Sequence, residues 1–118
     1  MRIALLSPKG PLYRHRGGIF KKSLRYAPLT LTTLAAYVPA ELHAAVEILD
    51  EGIADVDVDR IEADLVGITA ITGNAPRAYE LADRLRARGK TVALGGPHPT
   101  LVPFEAEGHA DAVVTCYA

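Results

Sequence analysis

The sequence predicts an α/β fold in which helices cover both faces of a five-stranded parallel sheet. Short, nearly continuously apolar runs alternate with segments whose apolar residues recur at helical spacing. Strands that are apolar at almost every position are typical of parallel sheets that are buried on both faces. The chain has 118 residues, of which 49% are hydrophobic and 23% charged, so we expect one domain, residues 1–118, with one core.

The five predicted strands share β-branched, apolar composition and are bounded by turn-forming residues. They are Arg2–Leu6, Val46–Asp50, Asp64–Ala70, Thr91–Leu94 and Ala112–Thr115.

Helices are predicted between these strands. The first two carry apolar residues at helical spacing: Leu31, Leu34, Ala35 and Val38 in one, and Ala78, Leu81, Ala82 and Leu85 in the other. We expect the second helix to begin after a cap at Asn74 and to end at Gly89. A shorter helix is predicted from about Thr100 to Glu107, with Pro103 in its first turn and Gly108 as its stop. Residues 54–61 predict a single helical turn.

Right-handed crossovers between five strands favour a doubly wound, flavodoxin-like (Rossmann-like) three-layer sandwich with strand order 2-1-3-4-5. We expect the helix that would follow the last strand to be missing or truncated. In this order a ligand crevice lies between strands one and three, at their carboxyl ends. The loops that reach it are Ser7–Ala27, Thr69–Asn74, Gly95–Thr100 and the residues after Thr115.

Composition excludes several classes of protein. No stretch approaches the roughly 18 apolar residues that span a bilayer, and no signal peptide is evident, so we expect a cytoplasmic protein that binds no membrane. The single cysteine, Cys116, excludes an internal disulfide and an iron–sulfur cluster held by this chain. A net charge of −1 gives no general attraction to nucleic acid.

The segment Gly95–Thr100 is the most informative, because two adjacent glycines place bare backbone at the end of a buried strand. Taken alone, the pair is also consistent with a tight strand-to-helix turn. The loop Ser7–Gly10 lacks the glycine pattern of an NAD site, and the acidic residues and lysine of a phosphoacceptor receiver domain are missing, as is a Walker lysine. A flavin carrier stays open, although the hydroxyl-rich stretch Thr69–Asn74 follows strand three rather than strand one.

The chain resembles the cobalamin (B12)-binding domain of B12-dependent radical SAM enzymes, of the anaerobic magnesium-protoporphyrin ester cyclase or methyltransferase type. The resemblance covers nearly the whole chain and is strongest in its second half. The segments that carry it are Ala27–Leu29, Leu34–Ala36, Val46–Asp50, Asp64–Thr69, Ala75–Ala82, Gly95–Thr100 and His109–Val114.

This resemblance implies that a corrin ring lies over the carboxyl ends of the strands and that its nucleotide tail enters a slot along the sheet. Gly95 and Gly96 would let the tail pass close to the backbone, while the hydroxyls of Thr69 and Thr72 would bond its base or phosphate and Ile71 would line the slot. The other expected cofactor-binding residues border these positions; they are Ser7, Pro8, Gly73, Pro97, His98 and Thr115.

The resemblance also bears on the cobalt. The wider B12 family places a DxHxxG motif after strand one, and its histidine takes the lower cobalt position. Because Ser7–Gly10 contains no histidine, the resemblance implies a base-off corrinoid without a protein nitrogen on cobalt. His98 lies at the rim, where it would orient the following helix or contact a propionamide rather than the cobalt. We therefore predict no metal ligand and no catalytic residue.

The CxxxCxxC motif of radical SAM chemistry is absent, so the radical SAM half of a methyltransferase or cyclase would lie in another domain or chain. The alternative function is a protein-interaction or regulatory domain with a decayed ligand site, whose uncovered last strand could form a homo-oligomer. Basic residues between Lys9 and Arg25 would form a flap over the corrin, a docking surface or a solvated loop.

Overall fold

The fold is a five-stranded parallel sheet with strand order β2-β1-β3-β4-β5, as the sequence predicts. A computed structural model describes residues 1–10 and 29–115. All strand pairs in the described residues are parallel. The strands are β1 (Arg2–Ser7), β2 (Ala45–Asp50), β3 (Leu65–Thr69), β4 (Thr91–Gly95) and β5 (Ala112–Val113).

Four helices connect these strands within the described residues. They are α1 (Leu29–Tyr37), α2 (Ala75–Ala87), α3 (Pro97–Leu101) and α4 (Pro103–Glu107), with 3-10 turns at Ala40–Leu42, Val58–Arg60 and Thr72–Asn74. The turn at Val58–Arg60 confirms the single helical turn predicted for residues 54–61. The basic residues from Arg14 to Arg25 and Cys116 lie outside the described residues.

Most of the core lies on one face of the sheet, which we call the covered face. There, alternate residues of the central strands, such as Leu6, Val66 and Leu94, pack against α2 residues such as Leu81 and Leu85. The opposite face carries a smaller cluster built around Ile3, Leu5 and Leu31.

This second face is half-open in the part of the chain that the structure describes. Its apolar cluster draws on α1, β1, β2 and Leu65 of β3, and no residue of β4 or β5 belongs to it. Right-handed crossovers explain the arrangement, because the chain turns from β1 to β2 in one direction across the sheet and from β3 to β4 in the other. Helices α1 and α2 therefore lie on opposite faces.

The helix predicted from Thr100 to Glu107 is wrong in extent. The chain instead forms two short helices, α3 and α4, separated at Val102, whose backbone is non-helical at φ −131° and ψ 65°. The cause is Pro103, because proline disfavours helical backbone in the preceding residue. Pro103 itself starts α4, and Gly108 is the residue after its end, as expected.

The predicted ends of α2 are confirmed in position. Asn74 precedes the helix, but its side chain makes no capping hydrogen bond to it, so the predicted cap is wrong in mechanism. At the other end, Gly89 adopts a positive φ of 80°, which is the left-handed conformation that glycine takes after a helix. The last strand is shorter than predicted and ends at Val113, although the Val114 N–H still donates to the carbonyl of Leu94 at 2.8 Å.

Candidate functional site

Most of the predicted site residues meet at the carboxyl edge of the sheet, in the connections that follow β1, β3 and β4. They are Ser7 and Pro8 after β1; Thr69, Ile71, Thr72 and Gly73 after β3; and Gly95, Gly96, Pro97 and His98 after β4. Thr115 is exposed and lies beyond β5 at the same edge. Parallel strands bring these connections together because their carboxyl ends share one edge.

Gly96 is required by close packing between the β3 and β4 connections. Its φ is 102°, and a Cβ at this position would lie 2.8 Å from both the carbonyl oxygen of Ala70 and the Oγ1 of Thr69. Backbone hydrogen bonds join the same two connections, from the Ala70 N–H to the Gly95 carbonyl at 2.9 Å and from the His98 N–H to the Ala70 carbonyl at 3.1 Å. This glycine allows the two loops to touch.

Gly95 has a different environment, since it faces the half-open face. A Cβ there would lie 3.6 Å from the Cβ of Val114, which is an ordinary contact. Strand alternation places Gly67 and Ala93 on the same face, and the register pairs these two residues with each other. Leu5 borders them, because its Cδ2 would lie 3.0 Å from a Cβ at Gly67. Gly67, Ala93 and Gly95 thus form a half-buried strip without bulky side chains, which we call the small-residue strip.

His98 is held by protein atoms on both sides of its ring. Its Nδ1 lies 3.1 Å from the Oγ1 of Thr72, and its Nε2 lies 3.1 Å from the Oε1 of Glu105. The side chain therefore ties the β3 connection to α4 across the start of α3. Both ring nitrogens of His98 are therefore engaged by protein side chains. This arrangement fits the helix-orienting role expected from the sequence, and contact with a propionamide stays a prediction.

Tyr79 packs between two histidines beside this tie. Its ring stacks on that of His109 with centroids 4.2 Å apart and lies 6.2 Å from that of His98 in a tilted arrangement. His109 Nδ1 lies 2.8 Å from a carboxylate oxygen of Asp83. Burial, together with the Glu105 carboxylate, raises the pKa of Tyr79 to about 12, so the phenol stays neutral at physiological pH.

A buried ion pair lies at the same edge and was not anticipated from the sequence. The Glu51 side chain is only 2% exposed and accepts two hydrogen bonds from Arg77, from Nε at 3.0 Å and from Nη2 at 2.8 Å. The Lys9 N–H also donates to Glu51 Oε1 at 3.1 Å. Burial alone would raise the pKa of the Glu51 carboxyl, but these donors outweigh it and hold the pKa below its ordinary value of 4.5.

Asn74 links two of the connections at this edge. Its Nδ2 donates to the carbonyl of Pro8 at 3.2 Å, and its Oδ1 accepts from the N–H of Ile71 at 2.9 Å. These bonds explain why the side chain does not cap α2. In the sequence, this link is indicated by the position of Asn74 after β3, because the predicted strand order places it opposite the loop after β1.

A separate hollow of about 450 Å³ lies beside the outer strand β2. Its apolar lining includes Leu29, Ile48 and Ile53. Because β2 is the edge strand next to β1, this hollow lies on the far side of β1 from the small-residue strip. It does not include any predicted site residue.

Comparison with known families identifies the family of the chain. The family model of the B12 binding domain matches residues 21–118, well over half of the chain. The chain belongs to the B12-binding domain family. The match confirms the family expected from the sequence, and the strand order agrees with the expected fold.

Two curated relatives of this B12-binding domain are methyltransferases from Chlorobaculum tepidum. Bacteriochlorophyllide d C-8(2)-methyltransferase is 45% identical over 87 residues, and bacteriochlorophyllide d C-12(1)-methyltransferase is 40% identical over 88 residues. The matches cover 73% and 74% of this chain but 19% of each relative, so the chain spans about a fifth of their length. No solved structure matches the chain.

The helices within residues 1–10 and 29–115 do not meet the requirements of a membrane span. None of them combines the necessary length with sufficient apolar character.

Proposed function

We propose that this domain binds cobalamin base-off, with the nucleotide tail displaced from cobalt, and presents it to a reaction carried out by another domain or chain. The observation that supports this most strongly is the small-residue strip of Gly67, Ala93 and Gly95 on the half-open face. Its position agrees with the slot that the family resemblance implies.

The strip offers the small side chains that a flat aromatic base would need beside it. A planar ring requires a floor from which no side chain projects, and ligand sites are mostly apolar with a few polar groups that fix orientation. Gly95, which has no side chain, and Ala93, which has only a methyl group, would form a nearly flat floor of this kind on β4. Thr69 pairs in register with Gly95 and is half-buried, so its hydroxyl would bond the tail at the rim.

The corrin ring would rest on the carboxyl edge, above the connections after β1, β3 and β4. Ile71 is 51% exposed there and would contact the ring or its side chains. Among the described residues of this edge, His98 supplies an imidazole. Its two ring nitrogens already contact Thr72 and Glu105. This engagement supports a bound cobalt that takes no protein histidine as its lower ligand.

The partner in this proposal is a radical SAM domain or chain that carries out a methyl transfer or a cyclase reaction. The two relatives are named as methyltransferases and are about five times longer than the matched segment. We propose that residues 1–118 act as a single non-catalytic binding domain in such an assembly.

A titration with hydroxocobalamin tests the proposal. We expect a stoichiometric complex that survives gel filtration and has the absorption spectrum of base-off cobalamin. The same titration with Gly108→Val provides a control, because Gly108 is not an expected site residue and a Cβ there would meet the Glu105 carbonyl oxygen at an ordinary 3.6 Å. No spectral change and no retained corrinoid in the wild-type protein would disprove cobalamin binding, whereas a retained base-on spectrum would disprove only the displaced tail.

The alternative, a protein-interaction domain, has one observation in its favour. Leu101 on α3 and Phe104 on α4 are 76% and 87% exposed. Large exposed apolar side chains are typical of contact surfaces when they form a patch. Sedimentation of the corrinoid-free protein distinguishes the two functions, because self-association that cobalamin does not change would favour the alternative.

A further inference from the structure

The loop after β1 is held from two sides by backbone and side-chain groups of other connections. Three consecutive residues are involved: the Ser7 carbonyl accepts from the Glu51 N–H at 3.0 Å, the Pro8 carbonyl accepts from Asn74, and the Lys9 N–H donates to Glu51. The bonds come from the end of β2 and from the turn before α2.

We propose that Glu51, Arg77 and Asn74 are positioning residues that set the path of the Ser7–Gly10 loop beneath the corrin. This inference rests on the proposed cobalamin binding, and it assigns a role to residues that would not touch the ligand themselves. Arg77 holds Glu51 with two hydrogen bonds, and Glu51 and Asn74 then hold the loop through its backbone.

The cost of burying Glu51 argues that the tie has a purpose beyond stability. Removing a carboxylate from water is expensive unless partners replace its hydration, and a buried ion pair is often no more stabilising than apolar residues of similar volume. Here the partners of the carboxylate are the guanidinium of Arg77 and one loop N–H. The pair therefore fixes the position of the loop. Apolar contacts would do so less precisely, because they have no preferred direction.

The loop that Glu51 and Asn74 hold lies next to the expected ligand crevice. The β1 connection borders the crevice between β1 and β3, where ligands bind in sheets of this order. Asn74 connects this loop to Ile71, so both sides of the crevice are set by the same side chain. A loop free to move by even about 1 Å would lose contacts that require defined geometry.

Two variants separate the parts of this tie. Glu51→Gln keeps the size of the side chain but removes its charge, which weakens the bonds from Arg77 and from the Lys9 N–H. Asn74→Asp keeps the acceptor for the Ile71 N–H but removes the donor to the Pro8 carbonyl. Glu62→Gln is the matched control, because Glu62 forms an exposed ion pair with Arg2 at the opposite, amino-terminal edge of the sheet.

Amide hydrogen exchange in the ligand-free protein provides the first measurement. We expect the Lys9 amide to exchange about tenfold faster in Glu51→Gln, because a hydrogen bond to a charged acceptor is weakened. Exchange of the Leu94 amide in the sheet should not change, and Glu62→Gln should leave both amides unaltered. Unchanged exchange at Lys9 in Glu51→Gln would overturn the inference.

Hydroxocobalamin affinity of the folded variants provides the second measurement. We expect Glu51→Gln and Asn74→Asp to bind about three- to tenfold more weakly than the wild type, with Glu62→Gln unchanged. Faster loop exchange with unaltered affinity would overturn the positioning role and leave the proposed function intact. If Glu51→Gln does not fold, Asn74→Asp alone decides between these outcomes. A wild-type protein that binds no cobalamin would refute the proposed function, and the positioning role with it.

Discussion

The two faces of the sheet use the same strands in opposite ways. On β4, Val92 and Leu94 point to the covered face and are fully buried, whereas Ala93 and Gly95 point to the half-open face and are only half-buried. On β3, Val66 and Ile68 are likewise buried on the covered face, opposite Gly67. On these two strands the covered face therefore carries large buried side chains, whereas the half-open face has small residues at Gly67, Ala93 and Gly95.

This division would allow the B12-binding domain to combine an apolar core with the binding surface that we propose. Successive residues of a strand point to opposite faces, so each strand can carry both functions without compromise. Bulky residues on the half-open face would add apolar burial but would occupy the volume that a ligand needs. The comparison therefore predicts that substitutions on the two faces affect different properties.

The largest effect is expected from truncation on the covered face. Leu94→Ala should lower the free energy of unfolding by about 2–5 kcal/mol, because it leaves a cavity in the packed cluster. Ala93→Ser, at the neighbouring position on the half-open face, should change it by less than about 1 kcal/mol. Urea denaturation followed by circular dichroism measures both, and similar losses for the two variants would contradict the division between faces.

The adjacent glycines sharpen the comparison at a smaller scale. Gly96→Ala should cost about 1–3 kcal/mol, because it forces an alanine to adopt a positive φ of 102° and brings its Cβ against Ala70 and Thr69. Gly95→Ala should be nearly neutral, since its Cβ would meet Val114 at 3.6 Å. Thermal unfolding of the two variants should therefore give clearly different midpoints, and equal midpoints would refute the packing role of Gly96.

The rim of the covered face should show a smaller effect that depends on pH. The pKa of Glu51 is lowered in the folded protein, so the ion pair with Arg77 contributes stability above the ordinary value of 4.5 and loses it as the pH falls through the folded pKa. Glu51→Gln should reduce stability near neutral pH and flatten its decline in acid. Urea denaturation across this pH range checks the sign, and a decline as steep in Glu51→Gln as in the wild type would contradict it.

The sequence predicted the fold well because the fold depends on local periodicity. Apolar runs and helical spacing identify strands and helices, and right-handed crossovers then restrict the strand order. The break at Val102 differs from the prediction of one helix with Pro103 in its first turn. Proline is tolerated in a first turn, but it also disfavours helical backbone in the residue before it. The family was predicted from a set of segments along the chain, and the family model matches residues 21–118.

The candidate site was predictable in position but not in detail. Parallel topology places Thr69 and Gly95 at one edge, and the register pairs them directly. The ion pair between Glu51 and Arg77 was missed, because it joins residues 26 positions apart and has no local pattern. The different environments of Gly95 and Gly96 could not be predicted from the sequence either, because they depend on which loop approaches each Cα.

The central claim is that the small-residue strip at Gly95 receives the nucleotide tail. Binding of hydroxocobalamin and of cobinamide, a corrinoid without that tail, to wild type, Gly95→Val and the control Gly108→Val tests it most directly. We expect Gly95→Val to remain folded, to lose cobalamin binding by more than about tenfold and to bind cobinamide as the wild type does. Unaltered cobalamin affinity in folded Gly95→Val, or an equal loss for both corrinoids, would contradict the claim.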